Sequence, residues 1–167
     1  MTNVLLVEDE DDLAFALERR LRREGYDVEV AGIAADAVRR AESHFFDAVL
    51  LDLGLPDADG LDVLARLSEP DGAPVLVLTG RDDAQTAVRA LRLGAADYLT
   101  KPVETDALLL SLRRALEASG LRRALEAARR RDRHGGPELV GTSPAWRNVE
   151  TALAAAAAAT RTPVLLQ

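Results

Sequence analysis

Acids, hydroxyls and one lysine stand directly after four short apolar runs in this chain. Glu8, Asp9, Glu10, Asp11 and Asp12 follow Val4–Val7, and Asp52 follows Ala48–Leu51. Thr79 and Gly80 follow Val75–Leu78, and Thr100, Lys101 and Pro102 follow Tyr98–Leu99. Carboxylates gathered in one half-buried crevice repel one another, so something must offset their charge. An oxygen-only ligand set points to Mg2+ rather than zinc, with one or two carboxylates holding the ion and room left for a phosphoryl group. Lys101 supplies a compact cation able to pair with a carboxylate or a phosphate. Thr79 supplies a hydroxyl able to donate to a phosphoryl oxygen. Together these residue types describe an aspartate that attacks phosphorus as a nucleophile. Singly, each has an ordinary reading: Asp11 and Asp12 as first-turn acids of a helix, Asp52 as a turn residue, Thr79 as a strand end, Lys101 as a surface charge. Their agreement at four run ends is what argues for a site.

The elements that must position these residues follow from periodicity. The runs Val4–Val7, Val28–Val30, Ala48–Leu51, Val75–Leu78 and Tyr98–Leu99 are too short for helices and several are β-branched, which predicts buried strands. Between them lie helical patterns: Leu13, Leu17 and Leu21 with arginines mostly opposite, then Ala34–Ser43, Leu61–Leu67, Ala84–Leu93 and Asp106–Leu116. Gly25 and Gly94 are placed to stop the first and fourth helices. Five strand–helix units with continuous apolar strands predict an α/β fold, a parallel sheet covered on both faces. In such sheets ligands gather outside the carboxyl ends of the strands, where strand order reverses. The acids, Thr79 and Lys101 all fall at those ends; strand two, ending near Ala31–Gly32, brings no such group.

Composition narrows the class. The 167 residues contain no cysteine, which excludes disulfides, thiolate zinc sites and cysteine nucleophiles within this sequence. Two histidines, His44 and His134, are too few for a histidine-built metal site. The net charge is −7, carried by residues 1–103 with 21 acids against 11 bases, while residues 104–167 hold 7 acids and 10 bases. An acidic body argues against nucleic-acid binding by that part, and Arg129, Arg130, Arg131 and Arg133 read as a solvated helix end. No apolar run reaches the ~18–20 residues of a membrane span, and the N-terminus lacks a leader pattern, so a soluble cytoplasmic protein without membrane association is expected. Of 21 bases, 20 are arginine; the single lysine is Lys101. A chain that uses arginine everywhere else keeps lysine where a compact, mobile ammonium fits a narrow crevice.

Four segments carry a family resemblance: Leu6-Val7-Glu8-Asp9, Asp47 through Pro56, Val77-Leu78-Thr79-Gly80 and Asp97-Tyr98-Leu99-Thr100-Lys101-Pro102. In order and spacing they resemble the receiver domain of bacterial two-component response regulators, over about residues 1–118. The resemblance implies a flavodoxin-like (βα)5 fold with a five-stranded parallel sheet of order 2-1-3-4-5. It implies that Asp52 is the phospho-acceptor and that Mg2+ is held by Asp9, by Glu8 directly or through water, by Asp52 and by the Gly54 backbone carbonyl. It also implies that Thr79 and Lys101 hold the phosphoryl group, that Tyr98 turns inward as Thr79 shifts, and that the Lys101–Pro102 bond is cis. The expected phosphoryl donor is a sensor histidine kinase.

Beyond residue 118 the pattern changes. Leu121, Leu125 and Ala128 continue a helical stripe through Leu121–Arg133, with Ser119–Gly120 a point where it kinks or breaks, so residues 119–137 read as a helical linker. His134-Gly135-Gly136-Pro137 marks a boundary. Ser143-Pro144 reads as a helix start before an alanine-rich helix Ala145–Ala159, and Pro163–Leu166 as a strand that stops at the end of the sequence. The stretch Glu138–Arg147 with Pro163–Leu166 resembles the opening of the AAA+ domain of sigma-54-dependent activators, with Trp146 where that family has a smaller apolar residue. Residues 138–167 are then the truncated start of such a domain, and the whole resembles the N-terminal part of an NtrC-like regulator. No G-x-x-x-x-G-K-[ST] loop precedes Gln167, so no ATP hydrolysis is expected of this chain. DNA and sigma-54 RNA polymerase would be partners only through domains outside it. A homodimer is expected through Asp106–Leu116 and the linker stripe. Two other readings compete: a haloacid-dehalogenase-type phosphatase, which wants a second aspartate where Gly54 stands, and a stand-alone receiver acting only by protein binding.

Overall fold

Alternate residues of each apolar run point to opposite faces of one sheet, and both faces are covered. A computed structural model describes residues 2–69, 72–80 and 84–134, with side chains described to residue 129. The strands are β1 (Thr2–Val7), β2 (Tyr26–Ala31), β3 (Ala48–Asp52), β4 (Val75–Thr79) and β5 (Asp97–Thr100). The helices are α1 (Asp11–Arg23), α2 (Ala34–Ser43), α3 (Gly60–Leu67), α4 (Ala84–Arg92) and α5 (Thr105–His134). All strand pairs are parallel and the sheet order is β2-β1-β3-β4-β5, the order the sequence resemblance implied.

Leu5, Val7, Val49, Leu51, Val75 and Val77 face one layer, where they meet Ala37 and Val38 of α2, Leu61 and Leu64 of α3 and Ala90 of α4. Val4, Leu6, Leu50, Leu76 and Leu78 face the other layer and meet Leu17 and Leu21 of α1 and Leu108 and Leu112 of α5. Coverage of both faces is why these strands read as unbroken apolar runs instead of alternating ones. Burying one leucine of this kind contributes roughly 2–3 kcal/mol, and Leu5, Leu6, Leu50, Leu51, Leu64 and Leu76 are all fully buried.

Gly25 and Gly94 follow the first and fourth helices with φ of +89° and +100°, left-handed backbone that a side chain would strain. Gly60 has a different reason to be glycine. It opens α3 against the end of β3, and a Cβ there would lie 2.3 Å from Leu53 Cα and 2.6 Å from Leu53 O. No side chain fits that approach, so Gly60 fixes how closely α3 seats beside Asp52.

Of the kink or break expected at Ser119–Gly120, the break does not occur; α5 is one helix of 30 residues. A mid-helix glycine costs only about 1 kcal/mol relative to alanine, and two contacts one turn on work against it. Arg122 reaches the Gly72 carbonyl at 3.4 Å, and the Arg123 guanidinium lies 5.1 Å from the Phe45 ring centroid. By compactness the chain divides into Met1–Glu126 and Ala127–Gln167. The expected Gly135–Pro137 boundary, the Ser143 helix start, the helix Ala145–Ala159 with Trp146, and the strand Pro163–Leu166 lie outside the described residues.

Candidate functional site

The end of β1 lies beside both β2 and β3 in the sheet, so the crevice opens where strand order reverses. Glu8 leaves β1 and Asp52 ends β3, side by side; Thr79 ends β4, and Lys101 leaves β5. The backbone continues the ladder past the strand ends: Glu8 N–H donates to Ala31 O at 3.0 Å and Lys101 N–H to Thr79 O at 2.8 Å. The Lys101–Pro102 bond is cis, as the resemblance implied.

Lys101 spans the two acids. Its Nζ donates to Asp52 Oδ2 at 2.8 Å and to Glu8 Oε1 at 2.9 Å. Glu8 Oε2 also lies 2.8 Å from Nζ, but outside hydrogen-bond geometry, and has no hydrogen-bond partner of its own. The side chains of Glu8, Asp52 and Lys101 are 0%, 7% and 18% exposed, so this is a nearly dry ion triad carrying a net negative charge. Burial pushes the Glu8 carboxyl above its ordinary range, opposed by the Lys101 hydrogen bond and charge. Burial alone would lower the Lys101 ammonium, but its bonds to Asp52 and Glu8 outweigh that and hold it above its ordinary value. Asp52 Oδ1 accepts the Gly54 N–H at 3.0 Å.

Carboxylate oxygens of Glu8, Asp9 and Asp52 all lie within 4.8 Å of one another, with Asp9 exposed and the other two buried. An all-oxygen set, one buried oxygen lacking a hydrogen-bond partner, and an exposed third acid at the rim suit a hard, partly hydrated cation such as Mg2+. Gly54 adjoins this cluster, and a Cβ there would sit 3.3 Å from Asp52 Oδ2; a side chain would crowd the carboxylate. Thr79 is buried. Tyr98, paired with Val77 across β4 and β5, is half-buried and packs on the layer formed by α2, α3 and α4. Glu8, Asp9, Asp52 and Lys101 thus converge, Thr79 ends the strand beside Asp52, and Tyr98 lies two residues back along β5 from Thr100.

Two residues that sequence reasoning missed shape this crevice. Gly60 sets the seat of α3, as above. Asp57, in the loop between β3 and α3, accepts the Ala34 N–H at 2.8 Å and the Ala35 N–H at 3.0 Å. It caps α2 from 23 residues away, where Ile33 at the cap position has no side-chain acceptor. These two bonds hold the Asp57 carboxyl below its ordinary range. The only sequence signal was an apolar residue at a helix start, which implies an acceptor supplied from elsewhere.

Comparison with known proteins agrees with this fold. Residues 4–113 match the family model described as the response regulator receiver domain. The chain is similar to the transcriptional regulatory protein KdpE of Mycobacterium tuberculosis, 44% identical over 126 residues, covering 75% of this chain and 56% of that protein. The chain spans about half the length of the curated relatives it matches. Among solved structures it is similar to a CheY-like response regulator receiver domain protein from Methanospirillum hungatei, with TM-score 0.69 and 28% identity, covering 73% of this chain and 98% of that one. It is also similar to NtrX from Brucella abortus, solved in complex with ADP, with TM-score 0.70 and 35% identity, covering 92% of this chain and 35% of that one.

Proposed function

This chain belongs to the response regulator receiver family, and from that premise we propose that it is a phosphorylation switch in which Asp52 takes a phosphoryl group from a sensor histidine kinase. The observation that carries the reading is the ion triad: one ammonium held 2.8 Å from Asp52 while bonding Glu8, in a crevice that admits a third carboxylate from Asp9.

Each residue has a task that its position supports. Asp52 is fixed by a donor on each oxygen, Gly54 N–H and Lys101 Nζ, so its carboxylate meets an incoming phosphorus in one orientation. An Asp52 oxygen forms the new O–P bond as the P–N bond to the donor imidazole breaks. Asp9, Asp52 and the Gly54 carbonyl, with Glu8 directly or through water, would hold Mg2+. When bound, the ion supplies positive charge against the phosphoryl oxygens. Lys101 then transfers its contact from carboxylate toward phosphoryl oxygen, and Thr79 donates from the end of β4. The added charge beside Thr79 biases a two-state packing of the face formed by α4, Tyr98 and the first part of α5, which is the output of the switch.

Other features extend the reading. The likeness to NtrX over 92% of this chain and the Glu138–Arg147 resemblance support a receiver that controls a sigma-54-dependent transcription activator. Exposed Leu110, Leu121 and Leu125 along α5 support a homodimer through that helix. No helix among the described residues is long and apolar enough to cross a membrane. We read the chain as regulatory rather than catalytic. Gly54, two residues after Asp52, offers no acid–base group, which disfavours a haloacid-dehalogenase-type phosphatase. Incubation with acetyl phosphate and magnesium, followed by a phosphate-affinity gel, tests the proposal: a retarded band is expected for the wild type and none for Asp52→Asn. Equal retardation of both would remove Asp52 from the role.

A further inference from the structure

We propose that Asp57 is a positioning residue for the proposed magnesium and phosphoryl pocket: by capping α2 from the β3–α3 loop, it holds the Gly54 carbonyl and the Asp52 carboxylate in the arrangement the ion requires. The inference rests on the phospho-acceptor reading above and adds a residue that touches neither ion nor phosphoryl group.

The geometry runs in one chain of contacts. The loop leaving β3 is pinned at Leu53 and Leu55, both buried in the core, and at its far end by Asp59, which accepts the Leu61 N–H at 2.9 Å. Between them, Asp57 binds two N–H groups at the α2 N-terminus. That N-terminus begins just after Ala31, whose carbonyl accepts from Glu8 N–H. The loops after β1, β2 and β3 are therefore tied together around the acids. Pro56 links Asp57 to Leu55, and its fixed φ leaves little slack to absorb a displacement. A shift at position 57 therefore pulls through Pro56 on the seat of Leu55, and so on the adjoining Gly54, whose N–H holds Asp52 Oδ1.

A plain helix cap would affect stability alone, and a positioning residue also changes ion affinity. Supporting groups one step behind metal ligands change affinity by roughly 10–100-fold, and Asp57, standing one step further out, is expected at the low end. Calorimetric titration of the whole chain with magnesium chloride is the test. Asp57→Ala should weaken Mg2+ binding about tenfold, while saturating magnesium restores the wild-type rate of labelling by acetyl phosphate. Asp57→Asn keeps one acceptor oxygen and should fall between, and it carries the test if the alanine variant does not fold. Asp47→Ala is the control: Asp47 accepts the Asn3 N–H at 2.9 Å at the opposite end of the sheet, so it should lose stability with no change in ion affinity. Amide exchange at Ala34 and Ala35 should quicken in Asp57→Ala without magnesium. Wild-type affinity in Asp57→Ala despite that quickening, or equal weakening in Asp47→Ala, overturns the inference. Absence of magnesium binding in the wild type would instead refute the phospho-acceptor reading itself.

Discussion

Replacing Lys101 by methionine keeps a long flexible stem and removes the one ammonium between two buried acids. At an effective dielectric near 20, a pair at the observed 2.8 Å has a Coulomb attraction of about 6 kcal/mol. Burying each ion costs several kcal/mol in return, so the pair's net worth is far smaller than that figure. What the substitution leaves behind is Glu8 with a fully buried side chain and Asp52 nearly so. Deleting one partner of a buried pair typically costs about 3–5 kcal/mol. We predict the low end, about 3 kcal/mol, because Asp52 keeps the Gly54 N–H and the exposed Asp9 marks a rim open to water. That corresponds to a fall of roughly 10 °C in melting temperature for a domain of this size. The pH dependence follows from Glu8, whose carboxyl is already raised by burial and loses its main opposing interaction in the variant. A carboxyl raised in the folded state favours folding below its unfolded pKa of 4.5, and that benefit is lost as pH rises through the folded value. The deficit relative to wild type should therefore be largest near pH 7.5 and shrink by more than half near pH 4.5. Millimolar magnesium, by supplying charge where the ammonium was, should stabilise the variant more than the wild type. Urea unfolding followed by circular dichroism at both pH values measures this. A neutral-pH deficit under about 1 kcal/mol, or an equal deficit at both pH values, would refute the reasoning.

Two further outcomes are expected. Gly60→Ala places a Cβ 2.3 Å from Leu53 Cα, so α3 must shift; we expect a loss of about 2 kcal/mol or more in urea unfolding and slower acetyl-phosphate labelling, and a neutral substitution would show that α3 moves freely. Leu121 and Leu125 are 65% and 52% exposed on α5. Serine at both should leave the melting temperature within about 2 °C yet abolish a dimer seen by light scattering, and an unchanged dimer would place the interface elsewhere.

Much of the fold was legible because the strands announce themselves. Val4–Val7, Ala48–Leu51 and Val75–Leu78 are unbroken apolar runs only because helices cover both faces, and each ends in the polar residue that the crevice uses. Asp52 and Lys101 were legible for the same reason, as polar side chains stationed at strand ends. The sequence was less informative about tertiary capping. Asp57 looks like any acid in a Pro-Asp turn until the fold brings it to Ala34 across 23 positions. Gly60 looks like a helix-start residue until β3 and α3 close on it. The helix runs unbroken through Ser119–Gly120 for a related reason: local propensity opposed it there, and Arg122 and Arg123 anchor it through contacts with Gly72 and Phe45.

The central claim is that Asp52 carries the phosphoryl group, and the site of modification can be located chemically. Brief treatment with acetyl phosphate and magnesium, followed by borohydride reduction, converts a phosphorylated aspartate to homoserine, which peptide mass spectrometry assigns to a position. Homoserine at position 52, dependent on magnesium and absent when the chain is unfolded first, is the predicted result. Homoserine at position 9 or elsewhere, or none from the folded chain under conditions that label a control receiver, would contradict it.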